Sequence, residues 1–151
     1  MENKTKLIIR RPNEWQNRAR VYKVLIDEVE AGNIKNNSSE EFSTNPGIHR
    51  IQCRISWYGS AVFQVDLKPG QVEYILVKNG MKYYWPLFLL LTAGIAINLF
   101  YIGHEDEKPL WATLLQLLLI LPALLYMLFY LTVGRNRYIV LEEDRDNIFA
   151  A

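Results

Sequence analysis

Two stretches of this 151-residue sequence, residues 83–102 and 110–133, contain no Asp, Glu, Lys or Arg. The first has 20 residues, which as a helix reach about 30 Å, one hydrocarbon core. The second has 24, about 36 Å as a helix, enough to span with tilt. A soluble core helix of such length would need far more covering protein than this chain provides. Two transmembrane helices are therefore expected. Tyr83, Tyr84 and Trp85 open the first run and Tyr101 closes it, while Trp111 opens the second and Tyr130 lies near its end. Amphipathic rings prefer that headgroup level, so Tyr83, Tyr84, Trp85, Tyr101 and Trp111 are the candidate interface anchors.

The connection "GHEDEKP" (103–109) is long enough only for a turn between antiparallel helices. Lys78 and Lys82 precede the first run, Arg135 and Arg137 follow the second, and the connection has only Lys108. Basic residues stay on the cytoplasmic side. The expected topology is thus a two-span inner (plasma) membrane protein with both termini cytoplasmic. The opening "MENKTKLIIRRPNEWQNRAR" has no apolar core of the kind a cleavable signal peptide needs, which agrees. The lone Cys53 allows no internal disulfide. Within the spans Asn98 and Gln116 fall at similar depth, which predicts an interhelical amide hydrogen bond. A polar pathway would usually include ionisable groups, and neither amide has one in the spans. Pro122 removes a backbone donor from the second span and is expected to kink it.

Residues 1–80 are of a different kind. Short alternating segments, "KLIIR", "RVYKVLID", "GNIKN", "EEFST", "HRIQCRISW", "SAVFQVDL" and "QVEYILVK", are separated by turn residues such as Ala31-Gly32-Asn33, Asn45-Pro46-Gly47 and Lys68-Pro69-Gly70. About seven strands at this spacing predict a small all-β antiparallel sandwich, followed by the two-helix hairpin (81–133) and a tail (134–151). Alternation puts Ile51, Cys53, Ile55 and Trp57 on one face, and likewise Ala61, Phe63, Val65 and Leu67.

The stretch "YKVLIDEVEAGNIKNNSSEEFSTNPGIHRIQCRISWYGSAVFQVDLKPGQ" resembles PEGA-type β-sandwich modules of prokaryotic surface and membrane proteins. The residues that carry the resemblance are Asp27 with Gly32, the "PGxH" of Pro46, Gly47 and His49, then Ser60, Pro69 and Gly70. It covers residues 6–78, about half the chain. Such modules often have Asp-Gly in the first turn, where this chain has Asp27-Glu28, implying a longer or different turn. The resemblance implies a structural or interaction module without catalysis and names no ligand. In the tail, "RYIVLE" alternates well enough to add as a strand to an open sandwich edge, but it also suits a helical extension of the second span.

The side chains present point away from enzymatic chemistry. His49 and His104 fall on opposite sides of the expected membrane, His104 with Glu105, Asp106 and Glu107 reads as a solvated acidic loop, and Cys53 lies on an apolar face. No phosphate loop, metal-ligand spacing or nucleophile–base set is present, so neither cofactor nor metal is expected. Residues 1–82 carry 13 basic and 9 acidic side chains, a net +4. Arg10, Arg11, Arg18 and Arg20 are the candidates for resting on an anionic lipid surface. Nucleic acid is not expected, because the basic residues lack a compact stripe with interleaved aromatics. The sequence therefore predicts a non-enzymatic membrane protein whose β domain serves as an interaction, scaffold or accessory-subunit module. Its partners would be the lipid bilayer and another membrane or cytoplasmic protein, or a second copy of itself. The alternative is a small homo-oligomeric transport or channel element, which would need a polar lining.

Overall fold

The computed structural model describes residues 5–102 and 108–144. The chain divides into two compact units, residues 1–80 with 135–151, and residues 81–134.

In the first unit the described residues form nine strands: β1 (Thr5–Arg11), β2 (Tyr22–Ile26), β3 (Val29–Ile34), β4 (Ser38–Thr44), β5 (Gly47–Ile55), β6 (Tyr58–Gly59), β7 (Phe63–Leu67), β8 (Val72–Asn79) and β9 (Ile139–Glu143). One sheet has the order β4-β1-β8-β9, and the other β3-β2-β5-β6 with β7 also pairing β5. The count exceeds the seven expected because β6 is only two residues long and β9 comes from the tail. The pairing is also not wholly antiparallel: β1 and β8 run parallel, from Lys6 opposite Val72 to Arg10 opposite Leu76. A parallel pair needs a long crossover, and here the crossover is all of β2 to β7. The sandwich core comprises Leu7, Ile9, Tyr22, Val24, Ile34, Ile51, Cys53, Leu67, Ile75, Val77 and Ile139, each 1 % exposed or less. Burial pushes the Cys53 thiol up to about 12, so it behaves as a small hydrophobe.

Two expectations about faces are corrected. Trp57 is 71 % exposed rather than inside with Ile55. Ile55 pairs directly with Tyr58, and Ser56 turns the chain at φ 51°, so the alternation stops at Ile55. Ala61 is likewise exposed, because β7 begins only at Phe63. The Asp27-Glu28 turn is not lengthened either. Ile26 pairs with Val29, and Asp27 and Glu28 take φ 51° and 69°, a two-residue turn of the primed kind that fits strand twist. Two non-glycine residues in the left-handed region cost about 1–2 kcal/mol each, and side-chain bonds to the neighbouring strand offset part of that.

Those bonds converge on His49. Its Nδ1 donates to Asp27 Oδ2 at 2.6 Å and its Nε2 to the Asn45 carbonyl at 2.8 Å. The Arg50 backbone N–H donates to Asp27 Oδ1 at 2.9 Å, and the Arg50 guanidinium pairs with Glu28 at 3.2 Å. With a proton on each ring nitrogen both acceptors are satisfied, so the Asp27 hydrogen bond raises the His49 pKa above its ordinary 6.5 despite partial burial. The Arg50 N–H and then His49 hold the Asp27 carboxyl below 3.8. A raised histidine pKa contributes stability that is complete below 6.5 and lost as pH rises through the folded value. A lowered carboxylate contributes stability above 3.8 that is lost as pH falls through the folded value. Thermal unfolding of the detergent-solubilised protein should therefore show a Tm decline on the alkaline side of 6.5 that His49→Gln flattens. An unchanged alkaline limb in that variant would sink the assignment.

The tail is a strand. β9 pairs antiparallel with β8, from Asn79 opposite Ile139 to Ile75 opposite Glu143. Its far end is fixed by Asp144, which is 1 % exposed and accepts from Arg10 Nε at 2.6 Å and Nη2 at 2.8 Å. The helical alternative for "RYIVLE" is thereby replaced by edge pairing.

The second unit contains α1 (Tyr84–Ile102) and α2 (Leu110–Leu131), with a 3₁₀ turn following at Val133–Arg137. Both helices are long and apolar enough to cross a membrane, and their surfaces are almost wholly uncovered. The residues they do bury are small: Gly94 on α1 and Ala112 and Ala123 on α2. A Cβ on Gly94 would lie 2.4 Å from Ile120 Cγ1, so the missing side chain is what lets the backbones approach. α2 continues through Pro122 as one helix, with the Leu118 carbonyl left without its usual donor. Tyr83, Trp85 and Trp111 are exposed, Tyr84 and Tyr101 half-buried. The Tyr83 ring meets Tyr126 edge-on at 6.5 Å, and its N–H faces the Tyr126 hydroxyl at 3.4 Å. Asn98 and Gln116 do come together, but through a third group. The Lys108 ammonium donates to Asn98 Oδ1 at 3.0 Å and also to Gln116 Oε1, in place of the expected direct amide bond. A long aliphatic stem lets Lys108 reach from its loop to both carbonyls. His104, Glu105, Asp106 and Glu107 lie outside the described residues.

Candidate functional site

The sandwich has one end at which the chain leaves for the apolar hairpin and returns from it: Asn79 closes β8 and Ile139 opens β9, and the two are paired. That end is organised around a buried arginine. β1 alternates inward at Thr5, Leu7, Ile9 and Arg11, and Arg11 is 1 % exposed. Its guanidinium lies 3.6 Å from the Tyr22 ring centroid. It donates to the Arg20 carbonyl at 2.7 Å, the Asn17 carbonyl at 2.8 Å and Glu14 Oε2 at 3.3 Å. The Tyr22 hydroxyl donates to Glu14 Oε2 at 3.1 Å and accepts from Asn17 Nδ2 at 2.9 Å. Glu14 Oε1 accepts the Asn79 backbone N–H, and Asn17 Oδ1 accepts the Tyr138 hydroxyl at 3.1 Å. One network thus binds the segment between β1 and β2 to the last residue of β8 and to the residue before β9. Burial raises both tyrosine pKa values: Glu14 pushes Tyr22 further up, whereas the Asn17 hydrogen bond and the nearby Arg20 charge draw Tyr138 down.

This geometry divides the four arginines proposed to rest on lipid. Arg11 is internal and Arg10 is committed to Asp144, so neither offers its charge to a surface. The sequence signal for Arg11 was its phase, two residues beyond Ile9 on the inward side of the strand. Arg18 and Arg20 are exposed, and among the described residues neither has an acidic partner. Sequence reasoning missed their companions. Exposed Arg54, Arg135 and Arg137 lie at the same end, as do Trp15 and Trp57, each 71 % exposed. Tyr58 stacks on Tyr138 at 4.5 Å and joins the β5–β6 turn to the start of β9. Beside it is a cleft of about 350 Å³ bordered by Arg54, Ser56, Trp57, Ser60, Arg135 and Asn136.

Among the described residues no group of three or more His, Cys, Asp or Glu is placed to hold a metal ion. The arrangement is suited to recognition of anions and surfaces: exposed guanidinium forks, hydroxyl and amide donors, and exposed indoles at one end of the sandwich. No protein-family model matches this chain, and a search of curated proteins finds no significant match.

Proposed function

We propose that the protein is a non-enzymatic integral membrane protein whose β-sandwich is a cytoplasmic interaction module, an accessory or scaffold subunit fixed to the inner membrane. The observation that carries this reading is the connection between β8 and β9. Two paired neighbouring strands are joined not by a short turn but by a helical hairpin apolar enough to span a bilayer. The sandwich is thereby attached to the spans by two strands of one sheet rather than by one flexible linker. Basic residues near both attachments, Lys78 and Lys82 before the first span and Arg135 and Arg137 after the second, support the cytoplasmic assignment. The turn and core residues shared with PEGA-type modules support a structural role for the sandwich. Exposed sheet edges and uncovered helix faces are the docking surfaces such a subunit needs.

The test is mild-detergent purification of the tagged full-length protein with native mass determination. A stoichiometric second protein is expected. A pure homo-oligomer that conducts ions in liposomes would replace this reading with a transport element.

A further inference from the structure

We propose that the cleft beside the β5–β6 turn binds the phosphate of an anionic phospholipid headgroup. At about 350 Å³ it is at the small end of ligand pockets, suited to a headgroup and not to a whole lipid. Among the described residues no carboxylate lines it, and its charges are the guanidinium groups of Arg54 and Arg135. Arg54 Nη2 donates only to the neutral Gln52 side-chain carbonyl, at 3.3 Å, and among the described residues Arg135 has no acidic partner. Two planar forks without carboxylate partners, flanked by the Ser56 hydroxyl and the Asn136 amide, match the geometry and charge of a phosphate. The lipid source follows from the chain itself. Arg135 is four residues beyond Leu131, the last residue of α2, and four residues reach about 14 Å at most. An exposed indole, Trp57, borders the same cleft, and indoles favour the headgroup layer.

The inference rests on α1 and α2 being membrane spans, and that premise fails separately: a protein released from membranes by alkaline carbonate without detergent would refute the spans themselves. The direct experiment is native mass spectrometry of the full-length protein in a neutral detergent, with phosphatidylglycerol, phosphatidylcholine or inorganic phosphate added. Phosphatidylglycerol should be retained selectively. Arg54→Gln and Arg135→Gln should each weaken retention about fivefold, and the pair more than tenfold, at about 1 kcal/mol per well-placed basic residue. Lys35→Gln/Lys68→Gln, which removes the same charge from two exposed positions outside the cleft, should leave retention within about twofold. Equal losses in the two double variants would mean diffuse attraction and overturn the site. So would wild-type retention in Arg54→Gln/Arg135→Gln, or displacement of the lipid by equimolar inorganic phosphate. A folded double variant is verified by an unchanged Tm in lipid-free detergent.

Discussion

Replacing Arg11 with alanine is expected to destabilise the sandwich by about 3–5 kcal/mol, the cost of leaving a buried carboxylate without its partner. The side chain is at the centre of its network: it meets Glu14 at 3.3 Å, two backbone carbonyls at 2.7 and 2.8 Å, and the Tyr22 ring at 3.6 Å. Its loss strands Glu14, whose side chain is only 10 % exposed, and orphans the Asn17 and Arg20 carbonyls. At about 4–8 °C per kcal/mol for a domain of this size, the Tm of the detergent-solubilised protein should fall by more than 10 °C. Arg11→Lys should recover only part, because an ammonium cannot reproduce the planar fork. Arg11→Ala/Glu14→Gln should be less destabilised than Arg11→Ala alone, since it removes the unpaired charge. An Arg11→Ala variant within about 1 kcal/mol of the parent, below the usual cost of breaking a buried pair, would show that the network does not hold this end together.

Gly80→Ala is the second substitution expected to act strongly. A Cβ at Gly80 would lie 2.3 Å from the Arg137 carbonyl oxygen and 3.1 Å from Val140 Cγ2. Backbone is on the other side of the clash, so no rotamer change relieves it. The Gly80 N–H donates to the Tyr138 carbonyl at 2.8 Å, and that bond would have to open. The expected loss is about 2–3 kcal/mol, in the range for overpacking a tight site. Amide exchange should quicken at Ile139–Leu141 while the β2–β5 pairing keeps its protection. Unchanged exchange in β9 would mean that the two strands do not approach this closely where they join the hairpin.

Much of this architecture was legible in local patterns. The charge-free runs located both helices to within two residues, 84–102 and 110–131 against the expected 83–102 and 110–133. Period-2 alternation located Ile51, Cys53 and Ile55 of β5 and Val65 and Leu67 of β7 in the core, because each of these strands has one buried face. Alternation failed where the chain turned: Trp57 continues the phase of Ile55 in sequence, but Ser56 at φ 51° has already reversed the strand. The parallel β1–β8 pair was not legible, since a pairing across more than sixty residues leaves no local trace. Charge was the least legible property. A list of basic residues cannot distinguish Arg11, held inside by Glu14 and two carbonyls, from Arg18, which faces solvent. Of the candidate site, the sequence showed Arg18 and Arg20 but not Arg54, Trp57 or Arg135. Arg54 and Trp57 flank one turn, whereas Arg135 comes from the far end of the chain and joins them only once β6 and the 3₁₀ turn are in place.

The β8–β9 pairing has a consequence for biogenesis. During synthesis the first eight strands emerge with β8 as an unprotected sheet edge, because its partner lies beyond both apolar helices. β9 becomes available only after α2 has left the ribosome and, on the membrane reading, after both spans have entered the bilayer. Closing of that edge, with Arg10 clasping Asp144 and Lys78 meeting Glu142, would then occur only in chains that have finished insertion. A chain stalled before that point would present a bare strand, the feature by which aggregation or degradation begins. On that reading the fold makes completion of the β-sandwich a report on integration of the hairpin.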